Sequence, residues 1–478
     1  MSYEKKFNAG FVYLICCCAS LGGLMFGYST AVISGAVSPV KTHFALSPAE
    51  VGWVVSSIIA GAIAGALMAG SIAEKTGRRT SLLISSLVFI ATALLCSLAS
   101  SYETFWAGRV LCGLAVGVAG TVAPMYMSEV APTAIRARCS GLFNLAMVVG
   151  VLSVFIVNYV VVRGMDDIWI QERGWRWMMG SQLVPSVIMM LLCLLMPESP
   201  QWNLRHQRSE QAIRLYTRIY PEFNSMEAQQ LFAARQTRNS AARSRGGLAD
   251  TPVLKYILAV GVLIAILQQC TGINVMNYYA PIVLAQGSAG KETVLFQTIF
   301  IAVANGIGGF IGMNLFDRFG RLPVMKAGTL GATLGLLIAS WGLYSHDSGH
   351  LTVFGILLFM ITFAMGWGAG AWVLISEIFP EKIRNSGMSL SVGLMWMTNF
   401  VITLLFPVVN DQPWLQRTFN GAFSMWIFVG FNVICYLFLA RFVPETKGVP
   451  LEEIESVVAE KMARRGAHTV ASGIIRQK

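Results

Sequence analysis

The chain has 478 residues, of which 55% are hydrophobic and 12% are charged, and its mean hydropathy is +0.62. Soluble domains usually carry about 25% charged residues, so this composition excludes an ordinary water-soluble protein. The formal net charge of +11 could suit nucleic acid. Because the basic residues lie beside apolar stretches, we instead expect membrane lipid, and no nucleic acid, as their partner.

Twelve apolar stretches follow one another along the chain, each long enough to cross a bilayer as an α-helix. The first six cover approximately residues 11 to 37, 51 to 73, 80 to 100, 104 to 128, 139 to 162 and 176 to 196. The other six cover approximately residues 252 to 286, 292 to 316, 323 to 344, 352 to 376, 388 to 409 and 420 to 442. The sequence therefore predicts an all-α membrane protein with twelve transmembrane helices.

One long polar stretch separates the two sets of six, and its alternating apolar and charged residues predict short amphipathic helices at Ala212 to Tyr220 and Met226 to Gln236. A flexible joint is expected at Asn239 to Gly247, and another short surface helix at Leu451 to Arg465. We therefore divide the chain into four parts: an N-terminal six-helix bundle 1–197, a cytoplasmic linker 198–251, a C-terminal six-helix bundle 252–448 and a cytoplasmic tail 449–478.

The basic residues predict the orientation. If the N-terminus is inside, 28 of the 35 Lys and Arg residues fall in cytoplasmic segments, and positive charge is enriched on that side of membrane proteins. We therefore expect a multi-pass protein of the cell (inner) membrane with both termini in the cytoplasm.

Charged motifs repeat at a distance of about half the chain. Glu74 and Asp317 open the similar clusters EKTGRR and DRFGRL, and Glu198 and Glu445 lie in PESP and PETKG. The matching positions are 243 to 248 residues apart, as are Glu129 and Arg136 from Glu377 and Arg384. Such a duplication in a membrane chain indicates two pseudo-symmetric bundles and a transporter that rocks one half against the other.

Eight strings, in order, resemble the sugar porter family of the major facilitator superfamily. They are EKTGRR, PMYMSEVAPTAIR, GWRWM, PESP, QQCTGINVMNYYAP, DRFGR, SEIFPEKIR and PETKG, spread over residues 70 to 448. Within that family, the chain resembles bacterial D-xylose/proton symporters and facilitative glucose transporters. The resemblance implies the major facilitator fold, a monosaccharide site at the midplane and alternating access. It implies no cofactor, and we expect a monomer whose substrate is a small neutral sugar.

Amide side chains on the seventh stretch support such a site. Gln268, Gln269, Asn274 and Tyr278 recur on a strongly apolar helix, and Gly272 is expected to loosen that helix. Gln268, Asn274 and Tyr278 are six and four residues apart, so they should project to roughly one side. Amides both donate and accept hydrogen bonds, as sugar hydroxyls do. The alternative is that these amides only join helices together.

Further sugar contacts are carried over from the family pattern. Trp372 matches the position of its sugar-stacking Trp, although a Trp could equally belong to an interfacial belt. Asn305, Trp396 and Asn399 match other contact positions.

The repeated charges are interpreted as a cytoplasmic gate that latches the bundles. By resemblance, Arg78 or Arg79 would meet Glu129, Arg136 would meet Glu198, Arg321 would meet Glu377, and Arg384 would meet Glu445, with Asp317 in the same network. Bidentate pairs in a network can hold helices together where a lone surface pair could not. The alternative is that these charges only reflect the enrichment of charge on the cytoplasmic side of the membrane.

Three positions depart from the family. Proton-coupled members have an acidic residue where this chain has Ser29, and no Asp, Glu or His lies in the core of a predicted stretch. Arg109 is charged there, but arginine keeps its proton at physiological pH. Asn144 replaces the usual sugar-contacting Gln, and Met395 replaces an amide, so the site is expected to be less polar.

These departures favour a facilitative uniporter, with Ser29 and Arg109 at the family's coupling position. Two alternatives stay open: a proton symporter that uses another route, and a non-transporting sugar sensor, which would usually carry a longer tail than 449–478. An enzyme is not expected, because the intramembrane residues supply no nucleophile with its base and no metal ligands.

Overall fold

A computed structural model describes residues 7–221, 251–286, 290–345, 349–380, 383–449 and 453–460. The regular structure in these ranges is helical, and it contains twelve segments, called spans here, that are long and apolar enough to cross a membrane. Spans 1 to 6 are Ala9–His43, Pro48–Thr76, Arg78–Ser97, Tyr102–Val130, Arg136–Val162 and Asp167–Leu195. Spans 7 to 12 are Pro252–Ala285, Lys291–Phe319, Arg321–Tyr344, His350–Ile378, Arg384–Asn410 and Phe423–Arg441. The twelve-helix prediction is confirmed.

Four spans are built from more than one helical piece. Span 1 consists of Ala9–Ala31 and Ile33–His43, and span 7 consists of Pro252–Cys270 and Ile273–Ala285. Spans 6 and 10 each contain a π-helical turn. The pieces of span 6 are Asp167–Trp169, the π-turn Ile170–Gly174, Trp175–Gly180 and Leu183–Leu195. The pieces of span 10 are His350–Phe363, the π-turn Ala364–Gly368 and Ala369–Ile378.

Within the described residues, short helices outside the spans lie at Pro200–Arg205, Ser209–Ile219 and Pro413–Phe419, and at 454–460. Ser209–Ile219 agrees with the amphipathic helix predicted at Ala212 to Tyr220, and one of its faces is buried. It contacts the start of span 1, where the backbone N–H of Asn8 donates to the carbonyl of Ile219 at 2.8 Å.

Several predicted features fall wholly or partly outside the described residues. The predicted helix 226–236 and the predicted joint 239–247 lie entirely outside them. Of the helix predicted over 451–465, residues 454–460 are described and helical.

The chain divides into two compact units, Met1–Ser244 and Arg245–Lys478. In the first unit, span 2 packs along span 4, and span 1 packs along span 5. In the second unit, span 9 packs along span 10, and span 7 packs along span 11. Each unit contains six spans, so each has its own helical core on which side chains are positioned.

Candidate sugar site and charge network

Span 7 breaks where the sequence predicted only a loosened helix. Gly272 has a φ of +96°, a backbone conformation that side chains with a Cβ rarely adopt. A Cβ at this position would also lie 2.7 Å from the ring of Phe428. Two helices therefore meet at Gly272, and the six- and four-residue spacing of Gln268, Asn274 and Tyr278 does not by itself place them on one face. The expected loosening at Gly272 is a full break between two helices.

The break brings three amides into one chain of hydrogen bonds, called the amide relay here. The side-chain N–H of Asn274 donates to Gln269 Oε1 at 2.5 Å, and that of Gln269 donates to Gln268 Oε1 at 3.1 Å. Gln268 in turn donates to the backbone carbonyl of Trp367 at 3.4 Å. Each amide has more donor and acceptor capacity than these bonds use. The relay is thus oriented by the protein and can still bind hydroxyl groups.

Most of the other predicted contacts also lie in the second unit. Trp372 is 45% exposed, so a large part of its ring face is open to contact. Asn305 and Trp396 are partly buried, and Tyr278 is 5% exposed. Asn399 is 3% exposed, and its side-chain oxygen accepts a hydrogen bond from the Thr403 hydroxyl at 3.1 Å. Asn399 is therefore held within its own span.

The two positions with a shortened or missing amide lie in different surroundings. Asn144 is exposed on span 5 in the first unit, whereas Met395 on span 11 is only 2% exposed. An exposed amide can reach a ligand directly. A buried thioether supplies shape and apolar surface but no hydrogen-bond donor.

Trp367 is a residue of this region that sequence reasoning missed. Its side chain is fully buried, and its indole N–H donates to the Thr329 hydroxyl at 2.8 Å. The sequence offers two Trp residues five apart in a glycine-rich segment, and its pattern does not say which of Trp367 and Trp372 packs inward.

The coupling position is buried in the first unit. Ser29 and Arg109 are both 0% exposed, and Arg109 Nη1 donates to the backbone carbonyl of Ser29 at 2.9 Å. The Ser29 hydroxyl is buried and makes no hydrogen bond within the described residues. The backbone at position 29 therefore contacts a buried guanidinium, and the side chain that position 29 carries cannot titrate.

Two of the four predicted ion pairs form. Arg78 holds Glu129 through Nη2 at 2.9 Å and Nε at 3.2 Å. Arg321 holds Glu377 in the same way, at 2.8 Å and 3.2 Å. Each pair joins two spans of one unit. Arg78 and Glu129 are 4% and 9% exposed, so losing one partner there leaves a more deeply buried charge than at Arg321 and Glu377, which are 19% and 28% exposed.

The other two predicted pairs were wrong. Arg136 donates to the carbonyl of Ala131 at 3.4 Å, and Arg384 donates to the carbonyl of Ser376 at 3.0 Å. The carboxylates expected to meet them bind backbone instead. Glu198 accepts from the N–H groups of Arg78 and Arg79, and Glu445 accepts from those of Arg321 and Leu322.

The physical reason is the start of spans 3 and 9. Each begins after a glycine, Gly77 or Gly320, which has no side chain to cap the first N–H groups of the helix. A carboxylate from another segment satisfies these groups and interacts favourably with the helix dipole. The motifs PESP and PETKG also contact the neighbouring ion pairs, because Ser199 donates to Glu129 and Thr446 donates to Glu377.

Two further gate residues lie outside these pairs. Of the two alternatives for Glu129, Arg78 is the partner, and Arg79 donates to the carbonyls of Cys193 and Leu194 at 3.1 and 2.6 Å. Asp317 is exposed and forms no ion pair within the described residues, whereas its counterpart Glu74 contacts Arg78 and Arg205.

Comparison with known proteins supports this picture of paired helical units. The family model described as "Sugar (and other) transporter" matches residues 15–458. The chain is 32% identical over 480 residues to the D-xylose-proton symporter of Escherichia coli (strain K12), with 95% of this chain and 97% of that protein covered. It is 32% identical over 474 residues to the glucose facilitated diffusion protein of Zymomonas mobilis, with 96% and 99% covered.

A solved structure agrees with the sequence comparisons. The inward-open conformation of the xylose transporter XylE from E. coli matches with a TM-score of 0.81 at 32% identity, covering 93% of this chain and 99% of that one.

Proposed function

Because the chain belongs to the sugar transporter family of the major facilitator superfamily, we propose that it carries a monosaccharide, a hexose or a pentose, across the membrane by facilitative uniport. The observation that carries the proposal is the coupling position. Ser29 is fully buried beside Arg109, and neither group exchanges a proton at physiological pH.

The likeness to known carriers leaves the coupling mode open. Relatives at 32% identity include a D-xylose-proton symporter and a glucose facilitated diffusion protein. The residues of this chain favour the second mode, since proton coupling through the membrane needs a titrating Asp, Glu or His in the path. A symporter that uses another route is the competing proposal.

We place the sugar against the amide relay of the second unit. Gln268, Gln269 and Asn274 would exchange hydrogen bonds with hydroxyl groups, and the open face of Trp372 would stack on the C–H face of the ring. Binding would be favoured by the orientation of the amides before the sugar arrives, because little side-chain entropy then remains to be lost. Further candidate contacts in the second unit are Tyr278, Asn305, Trp396 and Asn399. Asn144 of the first unit stays a candidate carried over from the family pattern.

The remaining parts of the proposal concern location and assembly. The chain is a multi-pass membrane protein, and its distribution of Lys and Arg supports both termini in the cytoplasm, in the inner membrane of a bacterial cell. We propose that it works as a monomer.

Uptake into proteoliposomes tests the proposal. Purified protein would be assayed with a panel of labelled hexoses and pentoses, with and without a protonophore. We expect at least one sugar to equilibrate across the membrane at a rate that the protonophore does not change. Uphill accumulation driven by an imposed pH gradient would establish symport instead, and the absence of uptake of every monosaccharide would reject the substrate class.

A further inference from the structure

Spans 9 and 10 approach each other backbone to backbone at several glycines, and one of these contacts joins Gly328 to Gly366. A Cβ at Gly328 would lie 2.8 Å from the Cα of Gly366, and a Cβ at Gly366 would lie 3.0 Å from the Cα of Gly328. The first distance is shorter than Cβ contacts in real proteins, so position 328 needs a residue without a Cβ, and at position 366 a Cβ would fit only if its neighbours shifted by a few tenths of an ångström. At this crossing the two backbones are in direct contact.

One residue further along each span, a hydrogen bond joins span 9 to span 10. The Trp367 indole N–H donates to the Thr329 hydroxyl at 2.8 Å, and both side chains are 0% exposed. The single hydroxyl proton of Thr329 is already directed to the carbonyl of Met325 at 2.7 Å. The hydroxyl oxygen therefore faces Trp367 as an acceptor. An indole N–H without this acceptor would be a buried, unsatisfied donor.

The same residue supports the amide relay through its backbone. The carbonyl of Trp367 accepts the side-chain N–H of Gln268, whose oxygen accepts from Gln269. Trp367 lies in the π-helical turn Ala364–Gly368, and the helix that carries Trp372 begins directly after that turn. The position of Trp367 thus determines both the orientation of the Gln268 amide and the start of the helix that carries Trp372.

We infer that Trp367 is a positioning residue for sugar binding. Thr329 anchors its ring, and the anchored backbone orients Gln268 and the amides that follow. Trp367 is buried and makes no contact with the sugar itself. This inference rests on the proposed function, because it assumes that the amide relay binds the sugar.

The test removes the anchor without touching the relay. Thr329→Val keeps the side-chain shape but removes the acceptor, Thr329→Ser restores a hydroxyl, and Ser340→Ala deletes another buried hydroxyl of span 9 that bonds only to its own helix. Two measurements are made on each variant: hydrogen–deuterium exchange of residues 364–372 without sugar, and the equilibrium Kd for the transported sugar.

We expect Thr329→Val to speed exchange in the π-turn and to weaken sugar binding by about 5- to 30-fold. Turnover at saturating sugar should change less than twofold, and Thr329→Ser and Ser340→Ala should stay within twofold of the unmodified protein in both measurements. Unchanged exchange in Thr329→Val would overturn the anchor. Faster exchange with an unchanged Kd would overturn the positioning role. If the unmodified protein binds no sugar, the proposed function fails, and the exchange data still decide the anchor.

Discussion

The carboxylate of Glu198 accepts the backbone N–H of Arg78 at 2.8 Å, although the two residues are 120 positions apart in the chain. The same relationship recurs in the second unit, where Glu445 accepts the backbone N–H of Arg321 at 3.0 Å. In each unit, a glutamate that follows the last of the six spans caps the start of the third span of that unit. The repeated PES and PET motifs are thus explained first by helix capping, and a part in a gate between the halves stays a prediction.

Replacing Gly77 by Ala should destabilise the first unit. The backbone at Gly77 has a φ of +96° and ψ of 162°, and an added Cβ would lie 2.3 Å from Glu198 Oε2. This backbone conformation costs residues other than Gly about 1 to 3 kcal/mol. The displaced carboxylate would also leave the start of the helix uncapped. We expect a clearly lower melting temperature in detergent. Gly164→Ala is the matched control, since its φ is also positive, at +72°, but its Cβ would meet nothing. Equal losses in both variants would show that strain alone matters.

Replacing Glu377 by Gln tests the gate. The change removes the charge that holds Arg321, and if the network stabilises a closed cytoplasmic side, the population should move toward the inward-facing state by about 1 to 3 kcal/mol. A cysteine probe on the extracellular side should then react more slowly, and sugar affinity measured from outside should fall. Asp317→Asn is the control, because Asp317 forms no ion pair within the described residues. Unchanged probe accessibility in Glu377→Gln would reject the latch.

Introducing an acid at position 29 should create pH dependence. Ser29→Asp places a carboxylate at a position whose backbone contacts the buried guanidinium of Arg109. The protonation of this carboxylate could then respond to the proton gradient. Uptake by this variant should respond to an imposed pH gradient, whereas uptake by the unmodified protein should not. Asn has the same size as Asp but does not titrate, so uptake by Ser29→Asn should remain insensitive to the pH gradient. A pH response in the unmodified protein would contradict the uniport proposal.

Removing the first amide of the relay should weaken sugar binding. Gln268→Ala deletes the bond to Trp367 and leaves Gln269 without its acceptor. The loss of one buried hydrogen bond costs about 1 to 3 kcal/mol, which corresponds to roughly 5- to 150-fold in Kd. Equilibrium binding of labelled sugar measures this change. Ser340→Ala is a control from the same unit, because it removes a buried hydroxyl bonded to the carbonyl of Leu336 rather than to the relay. Similar losses in both variants would indicate a general packing defect.

Restoring the family's amides should change sugar preference. Asn144→Gln extends the exposed amide of span 5 by one methylene, about 1.5 Å, which decides between a direct and a water-mediated hydrogen bond. We expect tighter binding of xylose or glucose, and a further gain when Met395→Gln is added. The measurement is a competition assay with a panel of sugars. If both reversions leave the preference unchanged, positions 144 and 395 do not set specificity.

The sequence by itself determined the twelve spans, because an apolar run of about 20 residues can satisfy its backbone in a membrane only as a helix. It also determined the twofold repeat and the family, whose motifs are read residue by residue. The bonds of Arg78 with Glu129 and of Arg321 with Glu377 were expected from the resemblance to the family.

Only the tertiary structure decided which groups the remaining charges and amides meet. Glu198 and Glu445 bind backbone N–H groups, and every residue except Pro carries such a group, so the sequence pattern does not distinguish them. The break at Gly272 depends on the ring of Phe428 from another span. Trp367 is buried rather than Trp372 because the close crossing at Gly328 and Gly366 brings Thr329 within reach of its indole. Such contacts depend on distances between spans, and residue order does not record them.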